Sequence, residues 1–507
     1  MKRLRALLLP VLGLLTCLPA QATWSIVVID RRTGEVGITS ATCIADLDLS
    51  VHLPVVVVGH GAGAAQSAID TQGRNRREIR QALLAGKTPD EILTWLAATD
   101  TSHQSRQYGL VSRTGPAVTF TGTGAGLARF GVTGSVGPYD YAIQGNVLTG
   151  DEVVLAAETA FRSTSGDMAE RMMAGMEAAM GLGGDGRCSC APSDPTGCGV
   201  PPVGFTHSAY TGFFIVARPG DSDGDCDAIT GCVTGQYYGF LNFVGNANTA
   251  DPVVELRAQF DAWRLGLQGR PDHFQSTWAW TDSGLVADGS DTAALELDLR
   301  DLLGQSTNPA GLVLQAEPLT APALTAAPAI TPLGAGRFEV RWTAGYQAGQ
   351  ESWRLVAELP GGERIPVGTP VTLRLWPLGS LVPGSDRLLS GAGSALPLAL
   401  SVGASHAGSP YRILASTAGT TPGSTAFGVP VPLNSSDLLN YTTTWGGVAP
   451  FAGSTGVLDS QGHAEALWQM PPDRLLEFVG QTLSFAAVVQ DPGGTFATDA
   501  VSILIEF

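Results

Sequence analysis

The sequence predicts an α+β protein whose first half combines antiparallel sheets with helices and whose second half is built of β-sandwiches. Three observations predict this. Between residues 23 and 264, pairs of amphipathic helices alternate with groups of strands, which favours stacked antiparallel sheets with helices outside over repeated βαβ units. Past about residue 271 the helical periodicity ends, and short alternating strands lie between Gly, Pro, Ser and Asp turns. Charged residues make up only 15% of the chain, which is typical of β-rich secreted modules rather than disorder.

The first 22 residues predict a signal peptide. Three basic residues precede an apolar run over residues 6–18, and residues 20–22 supply the small-x-small pattern that signal peptidase reads. The mature chain would then begin at Thr23 and be exported to the periplasm or the outside of the cell. A competing cut before Cys17 would give a lipoprotein, although Thr16 stands where Gly, Ala or Ser is usual. That cut would leave Thr23 internal.

The remaining elements follow in a regular order. A hairpin opens the mature chain, with strands at 24–30 and 36–43 around a turn at 31–35. Thr88, followed by a proline and three residues later by Glu91, forms a capping box that starts a helix. Four methionines at residues 168, 172, 176 and 180 recur at helical spacing, which indicates core packing rather than a metal site. Other predicted helices span 76–85, 151–161, 167–180 and 251–263, and other predicted strands span 106–112, 117–121, 139–143, 209–217 and 236–244.

Thr23 is the candidate nucleophile. A threonine that begins a chain carries a hydroxyl and a free α-amine, so nucleophile and general base arrive on one residue. An α-amine titrates near pH ~7.7 to 8.0, close to the pH at which most enzymes work. Strand alternation places Ser25 on the same face as Thr23, so Ser25, or Ser40 on the returning strand, is a second hydroxyl for this site. The alternative is that Thr23 merely follows the cut, because signal peptidase accepts almost any residue there.

Six cysteines remain once the signal is removed, and an even number in an exported chain favours disulfides. They are Cys43, Cys188, Cys190, Cys198, Cys226 and Cys232. Six cysteines allow 15 pairings, and the sequence does not choose among them.

One acidic loop has the alternation of a calcium site. Asp221, Asp223, Asp225 and Asp227 alternate as in an EF-hand, but Cys232 stands at the twelfth position, where a glutamate belongs. The favoured interpretation is an acidic, solvated turn held by a disulfide, with calcium as the alternative. The histidines show no paired zinc spacing, so neither a metal nor a cofactor is predicted.

The net charge restricts the partners. The formal charge is -17, and loss of the three basic residues of the signal makes the mature chain more acidic still. This argues against nucleic acid or an anionic membrane as partner. No other apolar stretch is long enough to span a bilayer.

Seven motifs, in order, resemble the bacterial family catalogued as domain of unknown function 1028. They lie at residues 23–27 (TWSIV), 61–66 (GAGAAQ), 106–109 (RQYG), 144–148 (QGNVL), 183–185 (GGD), 207–209 (HSA) and 251–256 (DPVVEL). That family is similar to the N-terminal nucleophile hydrolases. The resemblance covers residues 23–264 and implies an αββα sandwich, with Thr23 as the terminal nucleophile and its amine as base.

The resemblance also implies roles for polar residues near Thr23. Gln144 and Asn146, in the family's Gln-Gly-Asn motif, would orient substrate or stabilise an oxyanion. Gln66 and Asp185 match further motif positions and would contact substrate. The structural alternative is that Asn146 caps a turn and Asp185 a helix end.

The chain departs from the family at two inserts. Residues 186–206 hold three cysteines and residues 219–235 hold two, and His207 replaces the family's glutamine. If these loops border the pocket, the choice of substrate differs from that of the family.

The second half predicts two further modules. Residues 284–301 resemble the opening of a bacterial immunoglobulin-like domain of the invasin and intimin type, and residues 369–507 resemble uncharacterised β-sandwich modules of secreted bacterial proteins. Trp445 and Trp468 are candidates for a carbohydrate surface, although isolated tryptophans more often belong to a core. The predicted domains are a signal peptide (1–22), a hydrolase-like domain (23–270) and two β-sandwich modules (275–365 and 369–507).

Together these features predict an exported hydrolase of amide or related acyl bonds. Thr23 would attack, its amine would take the proton, and Asn146 or backbone amides would hold the oxyanion. The alternative is a secreted or surface-associated binding or adhesion protein, whose modules contact a cell surface or carbohydrate while the first domain is an inactive scaffold. The sequence leaves open the small-molecule or peptide-like substrate and the oligomeric state.

Overall fold

The structure is a computed structural model that describes residues 23–282, 285–321, 323–389, 394–447, 449–470 and 478–506. The expected signal peptide and Cys17 lie outside these residues. The chain divides into two compact units, Met1–Gly266 and Leu267–Phe507. The finer domain boundaries stay predictions. Within the described residues, no helix is both long and apolar enough to cross a membrane.

The first unit contains ten strands and seven α-helices among its described residues. The strands are β1 Thr23–Asp30, β2 Val36–Thr42, β3 Pro54–Val57, β4 Gly61–Ser67, β5 Arg106–Ser112, β6 Val118–Thr121, β7 Phe130–Val136, β8 Tyr139–Asn146, β9 Thr211–Ala217 and β10 Gly239–Val244. The helices are α1 Leu49–His52, α2 Arg74–Leu84, α3 Pro89–Thr99, α4 Glu152–Ser163, α5 Met168–Gly181, α6 Gly186–Ser189 and α7 Pro252–Gly266, with a short 3₁₀ turn at His103–Ser105.

Two antiparallel sheets organise this unit. The larger has the order β10-β9-β2-β1-β8-β7 and the smaller has the order β3-β4-β5-β6. Val27 and Ile29 of β1 share an apolar cluster with Val56, Ala62 and Val111 of the smaller sheet. Every residue of β1 and β2 is buried, so the predicted opening hairpin is confirmed as the centre of the larger sheet.

Two helix features follow directly from the sequence. The predicted capping box is confirmed, because the Thr88 hydroxyl accepts from the backbone N–H of Glu91 and the Glu91 carboxylate accepts from that of Thr88. The methionine face is confirmed as core. Met168, Met172 and Met176 of α5 are buried in one cluster with residues of β1, α4 and α7.

The second unit is almost entirely β. Its strands are β11 Thr277–Asp282, β12 Leu285–Val286, β13 Thr292–Asp298, β14 Val313–Pro318, β15 Ala329–Gly334, β16 Arg337–Thr343, β17 Gly349–Glu358, β18 Arg364–Pro366, β19 Val371–Trp376, β20 Ser380–Pro383, β21 Arg387–Leu389, β22 Ser394–Ser401, β23 Pro410–Ser416, β24 Ser424–Ala426, β25 Val429–Val431, β26 Phe451–Ala452, β27 Thr455–Val457, β28 His463–Met470, β29 Thr482–Asp491, β30 Gly494–Ala497 and β31 Val501–Glu506. One α-helix, α8 Asp437–Thr444, and a 3₁₀ turn at Ala404–His406 complete its described elements.

Four larger sheets build two apolar cores in this unit. Sheets β11-β13-β16-β15 and β12-β19-β17-β14 supply the first core, which includes Leu295, Trp342 and Leu373. Sheets β20-β22-β28-β26 and β21-β31-β29-β23-β27 supply the second, which includes Trp468. Of the two tryptophans considered for a carbohydrate surface, Trp468 is therefore a core residue, whereas Trp445 is exposed.

The predicted fold class needs correction. An α+β chain led by an αββα sandwich of the N-terminal nucleophile hydrolase type is wrong for this protein, because the described residues form 31 strands and only eight α-helices and the chain is mostly β. The predicted class rests mainly on the paired amphipathic helices of the first half. The second unit adds many short strands and a single α-helix, so the chain as a whole belongs to a different class.

Candidate functional site

Strand register brings the predicted polar residues onto one face of the larger sheet. On β1, Thr23 lies opposite Asn146 of β8, and Ser25 lies opposite both Ser40 of β2 and Gln144 of β8. Directly opposite residues of antiparallel strands share a face. This is the face whose apolar residues pack against the smaller sheet. All five side chains are buried between the sheets.

Thr23 lies beside a second threonine and an arginine. Its hydroxyl oxygen is 3.4 Å from Oγ1 of Thr42, and its carbonyl oxygen accepts a hydrogen bond of 3.1 Å from Nε2 of Gln66. Nη2 of Arg187 lies 3.3 Å from the same Thr42 hydroxyl. Thr23 is 2% exposed, so its side chain is enclosed.

Asp185 positions Arg187 rather than facing Thr23 directly. It is the N-cap of α6 and accepts from the backbone N–H of Arg187 at 3.0 Å. It also forms an ion pair of 2.7 Å with Nη2 of Arg187 and accepts from the backbone N–H of Cys43 at 2.7 Å. The helix-end alternative considered for Asp185 is therefore what the structure shows. We call Thr23, Thr42, Asn146, Asp185 and Arg187 the Thr23 cluster.

Gln66 and Gln144 belong to a buried amide network that ties four strands together. The Ser25 hydroxyl donates to Oε1 of Gln66 and accepts from Nε2 of Gln144 at 3.0 Å. Nε2 of Gln66 donates to Oε1 of Gln107 at 2.8 Å, and Nε2 of Gln107 donates to the carbonyl of Gly145 at 2.9 Å. These hydrogen bonds link the two sheets, although Oε1 of Gln144 is buried without a hydrogen-bond partner among the described residues.

The backbone is strained on both sides of Asn146. Ser67, whose hydroxyl lies 3.4 Å from Nδ2 of Asn146, has φ of 71°, and the next residue after Asn146, Val147, has φ of 52°. A β-branched residue rarely adopts a positive φ. Strain of this kind is commonly retained where a site requires a fixed geometry.

Ser40, the second hydroxyl considered for this site, donates to the carbonyl of Trp24 at 2.7 Å, so its hydroxyl is used in the hairpin.

Sequence reasoning missed Thr42, Gln107 and Arg187. Thr42 ends the strand that pairs with β1, so the hairpin register was the signal that pointed to it. Gln107 lies in the 106–109 motif but was not treated as a site residue. Arg187 follows Asp185 by two residues, the spacing at which an N-cap carboxylate meets the first turn of its helix.

The six remaining cysteines form three disulfides. The pairs are Cys43–Cys188, Cys190–Cys198 and Cys226–Cys232. The first joins the end of the opening hairpin to α6, and so holds Asp185 and Arg187 beside β2. Disulfides persist in oxidising compartments, which indicates an exported protein without naming the compartment.

The acidic loop does not gather its carboxylates. Asp221 accepts from the backbone N–H groups of Arg218 and Tyr238, Asp223 from that of Val58, and Asp227 from those of residues 229 and 230. Burial raises the pKa of Asp221. In the part of the chain that the structure describes, no group of three His, Cys, Asp or Glu side chains could hold a metal ion.

A groove of about 780 Å³ lies in the second unit. Its floor is the outward face of β20, β22 and β28, where Ser401 lies opposite His463 and Ala399 opposite Glu465. Ser401 is 4% exposed, and its hydroxyl has no hydrogen-bond partner among the described residues. Asp291 lines the opposite side of the groove, and burial raises the pKa of its carboxyl group.

The first unit is similar to a known protein family. The model described as "Family of unknown function (DUF1028)" matches residues 23–191. The resemblance stated from the motifs is confirmed over this range, which holds Thr23, Asn146 and Arg187. A search of curated proteins finds no match.

Solved structures give weaker likenesses. Protein SPO2555 from Silicibacter pomeroyi, assigned to the same family model, has 20% identity and a TM-score of 0.36 over 48% of this chain and 85% of its own. The Yersinia pseudotuberculosis adhesin InvE has 18% identity and a TM-score of 0.18 over 45% and 58%. The Escherichia coli adhesin FdeC has 10% identity and a TM-score of 0.20 over 96% and 97%. At these TM-scores none of the three determines the function of this chain, and hydrolase activity is not established by any of them.

Proposed function

We propose that the protein is an exported binding protein in which the second unit holds a ligand and the first unit is a rigid scaffold. The groove along β20, β22 and β28 carries this proposal. Its volume of about 780 Å³ falls in the range of ~300 to 1,000 Å³ that ligand sites usually occupy. The candidate catalytic side chains Thr23, Asn146 and Gln144, in contrast, are all buried, and Gln144 donates to the Ser25 hydroxyl.

The chemistry of the groove favours a neutral, hydroxyl-rich ligand such as a surface glycan. Val382, Ala399 and Leu467 supply an apolar floor against which the CH faces of a sugar pack. The carboxylate of Glu465 would accept hydrogen bonds from sugar hydroxyls. The buried Ser401 hydroxyl, which has no hydrogen-bond partner among the described residues, would become a further partner if the ligand displaced the side chains that cover it. An anionic ligand is disfavoured, because Asp291 and Glu465 line the groove in a chain whose net charge is -17.

Binding of the mature full-length chain to a glycan array tests this proposal. Ala399→Trp fills the centre of the floor, and we expect it to weaken binding at least ~10-fold because the bulky ring takes the ligand's place. Thr331→Trp, on the exposed edge strand β15, is the matched control and should bind as the unchanged protein does. Equal binding by both variants, or no binding to any glycan, would count against the groove.

A second candidate function is hydrolysis at Thr23, which the geometry of the Thr23 cluster favours. The Thr23 hydroxyl is 3.4 Å from that of Thr42, and Asn146 lies directly opposite on β8. After a cut before Thr23, its α-amine would take the hydroxyl proton as the oxygen attacks an acyl carbon, and Asn146 or backbone amides would stabilise the oxyanion. The 17% exposed side chain of Arg187 would add positive charge next to this reaction centre.

Mass spectrometry separates the two functions. In the hydrolase case, an acyl-directed electrophile should add to Thr23 of the mature protein and fail to add to Thr23→Ala. Thr23→Ser keeps a hydroxyl and an amine and should retain labelling. If the mature chain carries residues ahead of Thr23, or if no adduct forms, the hydrolase candidate fails. If the protein is a binding protein, Thr23→Ala should bind glycans as the unchanged protein does.

A further inference from the structure

Helix α2 begins with an unusual concentration of positive charge. Arg74, Arg76, Arg77 and Arg80 fall within its first seven residues, in a chain with 29 basic and 46 acidic residues. The N-cap, Gly73, has no side chain to accept a hydrogen bond from the first turn. The partial positive charge of a helix N-terminus adds to that of the arginines.

Arg76 is the member of this group that the fold encloses. It is 1% exposed, and its Nη1 donates to the carbonyl of His52 at the end of α1. Its Nε and Nη2 are buried and have no hydrogen-bond partner among the described residues, and the same holds for Nδ1 of His52. Arg76 and His52, which are neighbours in the fold, thus carry three buried nitrogen atoms that have no hydrogen-bond partner among the described residues.

One acidic side chain, Asp70, partly offsets the charge of Arg76. Asp70 raises the pKa of Arg76, but burial is the larger effect and lowers it. The carboxylate of Asp70 accepts from the backbone N–H groups of Gln72 and Asn75. Buried donors that lack an acceptor are disfavoured, so Nε and Nη2 of Arg76 call for a further hydrogen-bond acceptor at this point.

The space beside Arg76 is small and closed by the second insert. A Cβ placed on Gly73 would lie 2.9 Å from Nη2 of Arg76 and 3.3 Å from both Nη1 of Arg77 and Cα of Ala228. Ala228 lies in the loop closed by the disulfide Cys226–Cys232. Nη1 of Arg77 donates to the carbonyl of Gln72 at 2.8 Å, whereas Nη2 of Arg76 has no acceptor among the described residues. These close contacts favour a small ligand over a bulky one.

We propose that Arg76, together with His52 and the first turn of α2, binds a single monovalent anion of the size of chloride. The anion accepts the hydrogen bonds that Nε and Nη2 of Arg76 offer and neutralises the buried charge. Its binding fastens the second insert onto α1 and α2. A water molecule would satisfy some donors but would add no negative charge beside Arg76, where the effect of burial on the pKa exceeds that of Asp70.

Thermal unfolding of the mature full-length chain tests the proposal. At constant ionic strength, replacing sodium gluconate by sodium chloride should raise the Tm of the first unit in a saturable way, by roughly 5 °C when the site is filled. Arg76→Gln should remove this dependence, whereas Arg74→Gln, an exposed change in the same turn, should keep it. A Tm that is equal in the two salts would overturn the proposal.

A second measurement does not depend on the stability of the Arg76 variant. In crystals of the unchanged protein soaked in sodium bromide, an anomalous peak is expected within hydrogen-bond distance of Nη2 of Arg76. Density without an anomalous signal at that position would identify a water molecule and contradict the anion site. A peak only at exposed surface residues would contradict it equally.

Discussion

Asp100 shows how a single half-buried carboxylate is kept ionised in the first unit. It follows α3 and accepts from Nε of Arg106 at 2.8 Å, from Nδ2 of Asn75 at 2.8 Å and from the backbone N–H of Ser102 at 2.9 Å. Burial alone raises its pKa, but these donors outweigh burial and hold the pKa at about 2. The carboxylate thus links α2, α3 and β5.

Asp100→Asn should lower the free energy of unfolding by about 2 kcal/mol at pH 7, because it leaves the half-buried Arg106 without its partner. Because the pKa of Asp100 is lower in the folded state than its ordinary value, ionised Asp100 stabilises the fold. This stabilisation is complete above pH ~4 and is lost as the pH falls toward 2. The difference between the two proteins in urea unfolding should therefore shrink between pH ~4 and 2. Asp151→Asn, whose carboxylate makes no capping bond, is the control. A difference that stays constant with pH would show that ionisation of Asp100 is not the cause.

At the scale of elements, α5 illustrates how a periodic pattern becomes a packed surface. Its methionines lie over β1 and β2, and a Cβ on Gly37 of β2 would come within 2.3 Å of Sδ of Met172. Gly37 therefore provides the close approach that lets the helix lie on the sheet. The long, flexible side chain of methionine fills the remaining space.

Met172→Ala should reduce the free energy of unfolding by roughly 3 kcal/mol, because it removes a fully buried side chain and leaves a cavity. Met180→Ala, in the last turn of the same helix and only partly buried, should have a clearly smaller effect. Chemical denaturation of both variants gives the comparison. Equal losses would mean that the helix responds as a whole rather than through the contact with Gly37.

At the scale of the whole molecule, the three disulfides and the expected cut before Thr23 are linked. Six of the seven cysteines pair within the first unit, and the seventh, Cys17, belongs to the expected signal peptide. The number of free thiols therefore reports on where the chain is cut.

The exported mature protein should show no free thiol in denaturant and six after reduction, measured by thiol labelling and intact mass. A chain that keeps an unmodified Cys17 would show one free thiol before reduction. A lipidated Cys17 would show none but would add the mass of the lipid and of residues 17–22. Either result would contradict the cut before Thr23 and with it the hydrolase candidate, while leaving the groove of the second unit unaffected.

Local patterns determined part of this structure. The opening hairpin, the capping box at Thr88 and the buried face of α5 depend on residues a few positions apart, so sequence periodicity predicted them. The even cysteine count likewise predicted full pairing, but not which cysteines join. The overall class was misjudged because the many short strands of the second unit outweigh the strong helical signals of the first.

The sequence by itself determined Thr23 as the residue of interest, the polar motif residues around it and the acidic turn held by a disulfide. Only the tertiary structure decided which groups these residues contact. Strand register and the Cys43–Cys188 disulfide bring Arg187 and Thr42 to Thr23. The same register turns Gln66 and Gln144 inward, where both bond to the Ser25 hydroxyl. Contacts between residues 19 to 145 positions apart have no local signature, and therefore burial and pairing in three dimensions, not spacing along the chain, set the surroundings of each side chain.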